Sequence, residues 1–71
     1  MFQILVVEDD NELRDLFCAV LTENGYTAVP AVDGIEAFDI LDETYVDLII
    51  SDIMMPRMDG FELIKALREA H

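Results

Sequence analysis

The chain has little cysteine, proline, glycine or positive charge, and it has no long hydrophobic run. Its one cysteine, Cys18, cannot close an internal disulfide, and a reducing cytoplasm suits such usage. Two prolines and three glycines in 71 residues leave no linker and no low-complexity tract. Four Lys and Arg face sixteen Asp and Glu, for a net charge of -12. Such a surface repels nucleic acid and anionic lipid, so neither is expected as a direct partner. A basic protein or a metal ion suits it better. No stretch reaches the length of about eighteen apolar residues that reads as a membrane span. The apolar start, Met1 to Val7, is too short for a signal peptide and is broken by Glu8-Asp9-Asp10.

What is present is short and apolar. A chain of 71 residues makes one small domain. It buries only about 60% of its unfolded surface, which leaves stability marginal. The apolar share, 54%, is high for that size, so either the core is dense or some apolar surface serves another purpose.

Phe2 to Val7 is apolar nearly throughout, as a strand covered on both faces should be. Leu13, Leu16, Phe17, Val20 and Leu21 then recur at the spacing of one helical stripe. Asp10 or Asn11 can cap that helix, and Asn24-Gly25 supplies a left-handed stop. Tyr26 to Ala31 is a weaker strand, and Pro30, which cannot donate to a ladder, assigns it to a sheet edge. Asp33 and Glu36 are spaced as a capping box opening a second helix, with Ala37, Phe38 and Leu41 as its expected buried face. Val46 to Ser51 is the third strand. Asp59 and Glu62 repeat the capping spacing before a third helix lined by Phe61, Ile64 and Leu67. Strands alternating with helices imply an α/β fold, with parallel pairing through right-handed crossovers.

The whole chain is organised around residues 48–60. The apolar run Leu48-Ile49-Ile50-Ser51 ends at a lone carboxylate, Asp52. Pro56 then forbids helix continuation, and Asp59-Gly60 marks a turn into the next apolar period. Open α/β sheets place their ligands at the carboxyl ends of the strands, where Asp52 would stand.

The run Asp52-Ile53-Met54-Met55-Pro56-Arg57-Met58-Asp59-Gly60 resembles, without mismatch, the phosphorylation loop of the response-regulator receiver family of two-component signalling. A second block of that family, an apolar strand ending in two acids, is matched by Ile4-Leu5-Val6-Val7-Glu8-Asp9. The resemblance implies a flavodoxin-like (CheY-like) doubly wound parallel sheet, here truncated to βαβαβα with strand order 2-1-3, so that residues 1–71 form a partial receiver domain. In that order Glu8, Asp9 and Asp52 converge. Three carboxylates so close repel one another unless a cation joins them, and a hard cation such as Mg2+ fits carboxylates, water and phosphate oxygens. By resemblance Asp9 and Asp52 coordinate Mg2+ directly with the backbone carbonyl of Met54, and Glu8 acts through water. Asp52 then takes a phosphoryl group from the phosphohistidine of a sensor histidine kinase. The chain is the acceptor in that transfer and is not expected to be an enzyme.

The family's later hydroxyl and lysine residues would lie beyond His71, so these 71 residues are expected to accept phosphate slowly, if at all. An uncovered third-strand edge also points to a homo-oligomer formed through that strand. A phosphorylation-incompetent fragment acting only as a dimerising module is the alternative function. A haloacid-dehalogenase-type phosphatase, the other rival, wants D-x-D after its first strand, and Glu8-Asp9-Asp10-Asn11 does not provide it in the required context. Met54, Met55 and Met58 are read as adaptable packing around the loop, Asp10 as a cap, Cys18 as an inert, partly buried thiol, and His71 as a terminal residue without a role.

Overall fold

The computed structural model describes residues 2–51. Their elements follow in the order β1 (Gln3–Val7), α1 (Asn11–Glu23), β2 (Thr27–Ala31), α2 (Gly34–Glu43) and β3 (Leu48–Ser51). The third helix expected from Asp59 onward lies outside the described residues.

All three strands are parallel, in the order β2-β1-β3. The central strand explains its own composition. Ile4, Leu5 and Val6 are all fully buried, because successive side chains of β1 enter different layers. Ile4 and Val6 pack with Phe17 and Leu21 of α1 and with Ile50, whereas Leu5 packs with Ala31 and with Ala37 of α2. The two helices therefore cover opposite faces, as right-handed crossovers running in opposite directions across the sheet, from β1 to β2 and from β2 back past β1 to β3, require.

Helix α1 begins where Asp10 Oδ1 accepts the N–H of Leu13, at 2.9 Å, so the cap is Asp10 and not Asn11. It ends in a Schellman arrangement: the Gly25 N–H donates to the Thr22 carbonyl and the Tyr26 N–H to the Leu21 carbonyl. Gly25 has φ of +88°, a conformation that L side chains resist, so Asn24-Gly25 is the stop its sequence announces.

Pro30 is placed where it costs nothing. Thr27 donates to the Phe2 carbonyl and Ala31 accepts from the Glu8 N–H, so the odd-numbered residues of β2 turn their backbone groups toward β1. Pro30 falls on the other side, at the outer edge, where no ladder bond needs its missing donor.

Three expectations need correction. The buried face of α2 was expected to be Ala37, Phe38 and Leu41. Ala37 is buried and Ile40 joins it, while Phe38 is 72% exposed and Leu41 36% exposed. Ala37 belongs to two possible stripes, one through Ile40 and one through Leu41 and Phe38 on the other side. The fit of the small Ala37 against Leu5 and Ala31 turns the helix to the first. On α1, likewise, Leu16 lies at the flank of its stripe and is 50% exposed.

The third strand begins at Leu48, later than the expected Val46, because Asp47 is occupied in fastening it. The Asp47 N–H donates to the Gln3 carbonyl at 2.8 Å, and its Oδ2 accepts the Gln3 N–H at 2.7 Å. This two-way bond sets the register that places Val7 opposite Ser51.

Candidate functional site

The register brings the ends of β1 and β3 together. Glu8 and Asp9 follow Val7 directly, and Ser51, opposite Val7, is the residue before Asp52 in the chain. One pocket at this end is lined by Val7, Glu8, Asp9, Asp33, Gly34 and Ser51, with Phe38, Leu41 and Ile49 forming its apolar side. It reaches from the carboxyl ends of β1 and β3, where the strand order reverses and α/β sheets bind their ligands, along the side of the sheet that α2 covers.

The two acids at the end of β1 are held differently. Glu8 is 5% exposed. Its N–H donates to the Ala31 carbonyl at 3.0 Å, and its Oε2 accepts the Asp10 N–H at 3.1 Å. Its backbone carbonyl accepts from Arg14 Nη1 at 2.8 Å. A buried carboxylate demands such partners, and no buried side-chain nitrogen or oxygen among the described residues lacks one. Asp9 is exposed and faces the pocket. Such a pair suits one acid that touches a ligand and one that stands behind it.

The neighbouring acids have other work. Asp10 caps α1, and Asp33 caps α2 by accepting the Glu36 N–H at 2.9 Å. Among the described residues, no group of three or more His, Cys, Asp or Glu could hold a metal ion. Glu8 and Asp9 contribute only two carboxylates, so a complete oxygen site needs donors from outside residues 2–51. The other two expected ligands, Asp52 and the Met54 carbonyl, fall there, as do Met55, Met58 and His71. What is present fits a hard divalent cation, since every donor at this end is oxygen.

Arg14 escaped the sequence reading. It is the one base among the described residues, and its guanidinium also donates to Asn11 Oδ1. The signal was available: an isolated cation in the first turn of the helix that follows the acids. Cys18 is partly buried, as expected. Burial, and then the Asp15 carboxylate, push its thiol above the ordinary value, with Arg14 opposing, which favours the protonated form at neutral pH.

Comparison with known proteins adds to this geometry. A family model described as the response regulator receiver domain matches residues 4–71. The chain is 42% identical over 71 residues to the transcriptional regulatory protein CpxR of Escherichia coli (strain K12), covering 100% of this chain and 30% of that one. It is 42% identical over 66 residues to the response regulator MprA of Mycobacterium sp. (strain KMS), covering 93% and 29% respectively. The solved structure of the chemotaxis protein CheY4 of Vibrio cholerae superposes with a TM-score of 0.73 at 38% identity, over 99% of this chain and 58% of that one. The chain thus spans less than a third of the length of these curated relatives and little over half of that solved chain.

Proposed function

The chain belongs to the response regulator receiver family of two-component systems, and from that premise we propose that Asp52 is its phosphoacceptor, served by Mg2+. The observation that carries the reading is the register: Val7 opposite Ser51 sets the Glu8-Asp9 pair beside the strand end from which Asp52 follows.

The donor is the phosphohistidine of a sensor histidine kinase. One oxygen of the Asp52 carboxylate attacks phosphorus, the P–N bond breaks, and the imidazole leaves to be protonated from solvent. Phosphoryl transfer passes through a loose transition state, so positioning and charge neutralisation provide most of the acceleration. Mg2+, held by Asp9, Asp52 and the Met54 carbonyl, with Glu8 acting through water, would neutralise the phosphoryl oxygens. Buried Glu8 shapes the floor of the site, and Asp9 presents its carboxylate to the pocket. Because Asp52 is itself modified, the chain is a substrate and not an enzyme, working in the cytoplasm. No helix among the described residues is long and apolar enough to cross a membrane.

The test is incubation with radiolabelled acetyl phosphate or a phosphorylated kinase in the presence of Mg2+. Label should enter the wild type slowly and be absent from Asp52→Asn, while Asp39→Asn, on the exposed side of α2, should keep it. Equal labelling of the Asp52 variant refutes the assignment.

A second reading, self-association through β3, rests on the unequal sheet edges. Pro30 blunts the β2 edge, whereas β3 has only β1 as its neighbour among the described residues, and Ile49, 37% exposed, leaves apolar surface on the sheet face beside that edge. Two copies could pair through β3 about a two-fold axis. The net charge of -12 opposes this, but screening at physiological salt limits the repulsion to about 8 Å. Sedimentation at micromolar concentration should show a dimer that Ile49→Lys dissociates. A wild-type monomer there refutes this second reading.

A further inference from the structure

The acids at the end of β1 need something to aim them, and the residue placed to do so is Arg14. Its Nη1 donates to the Glu8 carbonyl oxygen at 2.8 Å, and its other guanidinium nitrogen donates to Asn11 Oδ1. In a segment crowded with carboxylates, both of these bonds go to uncharged oxygens. Simple charge pairing does not account for that choice.

The Glu8 carbonyl belongs to the same peptide unit as the Asp9 N–H. A bond that fixes this carbonyl therefore fixes the plane from which the Asp9 Cα departs. No hydrogen bond from another described residue holds the Asp9 carboxylate itself, so its direction is set from the backbone behind it. Arg14 is anchored in turn, since its own N–H donates to the Asp10 carbonyl at 2.9 Å in the first turn of α1. The planar fork thus spans the β1–α1 connection from helix to strand, which a lysine ammonium, a single point of charge, cannot reproduce.

We propose that Arg14 is a positioning residue for the divalent-cation site: by clamping the Glu8–Asp9 peptide to the start of α1, it holds the Asp9 carboxylate in a ligating direction. The inference rests on the reading of the acidic end as that site. Two effects of Arg14 oppose each other. Coulomb repulsion between guanidinium and cation weakens binding, and pre-orientation of the ligand strengthens it. Outer partners that orient metal ligands are worth about 10- to 100-fold in affinity. We take orientation to win, because the guanidinium is bonded to backbone and amide oxygens and Arg14 is not among the residues lining the pocket that Asp9 lines.

The experiment is calorimetric titration of the 71-residue chain with MgCl2, with the melting temperature of the metal-free protein recorded alongside. Arg14→Met and Arg14→Lys should both weaken Mg2+ binding by about tenfold, the retained charge of lysine giving little rescue. Asn11→Ala, which removes one anchor of the fork and leaves the arginine, should weaken it by a smaller factor and serves if the arginine variants do not fold. Tighter binding in Arg14→Met, with Arg14→Lys like the wild type, would show a purely electrostatic role and overturn the proposal. A lowered metal-free melting temperature with unchanged affinity in all three variants would show a merely structural role and overturn it too. Asp9→Asn separates the underlying reading: Mg2+ binding that survives this change means the cation lies elsewhere, and both inferences fall.

Discussion

Mg2+ at about 100 times its dissociation constant should stabilise the chain by about 2.7 kcal/mol, because a ligand that binds only the folded state shifts the equilibrium by mass action. For a domain of this size that is a rise in melting temperature of about 10–20 °C. The expectation follows from the proposed site: two carboxylates leave the end of β1 in succession, and Ser51 beside them leads into Asp52. A chain of net charge -12 gains something from any divalent cation through general screening, so the control must keep the charge change while leaving the site intact. Asp39→Asn, on the exposed side of α2, is such a control. Asp9→Asn and Asp52→Asn should each remove most of the gain, and Asp39→Asn should retain it. If all three respond to Mg2+ alike, the cation acts on overall charge and not at a site.

Leu21→Ala should cost about 2–5 kcal/mol, a large part of the total stability of about 4–11 kcal/mol expected for a domain of this length. Leu21 is 0% exposed, packs with Ile4, Val6, Phe17 and Ile50, and its carbonyl receives the Tyr26 N–H that closes α1. Truncation there leaves a cavity between helix and sheet that neither can readily collapse to fill. Leu16 is the matched comparison. It has the same side chain on the same predicted stripe, but it is 50% exposed, so Leu16→Ala should cost only about 1 kcal/mol. Urea denaturation of both variants measures the difference. Equal losses would mean that α1 is rotated from the orientation described.

How much of this was legible in advance depended on whether the deciding interaction was local. Both helix starts were written in the chain, because a cap joins residues three apart: Asp10 to Leu13, and Asp33 to Glu36. The Asn24-Gly25 stop was legible for the same reason, since only glycine takes φ of +88° without strain. Periodicity identified each strand, and the family motifs identified Glu8, Asp9, Asp52 and Met54 as the residues to watch. Pro30 even indicated an edge, since a missing donor is tolerable only where no neighbour needs it.

Other features were decided between elements, where a single chain reading has no coordinate to work with. The sequence allowed α2 to bury Phe38 and Leu41, and it is the packing of Ala37 against Leu5 and Ala31 that turned them outward. The register that sets Val7 against Ser51 comes from Asp47 and Gln3, 44 positions apart, bonding in both directions. Arg14 had no visible purpose until the β1–α1 connection folded back and put the Glu8 carbonyl within its reach. By itself, then, the sequence determined the described helices with their ends, the presence of the three strands, and which acids to look at, because capping, turn conformation and periodicity act within a few residues. Only the tertiary structure decided which faces are buried, how the strands are aligned and what holds the acids, because those depend on contacts between segments far apart in the chain.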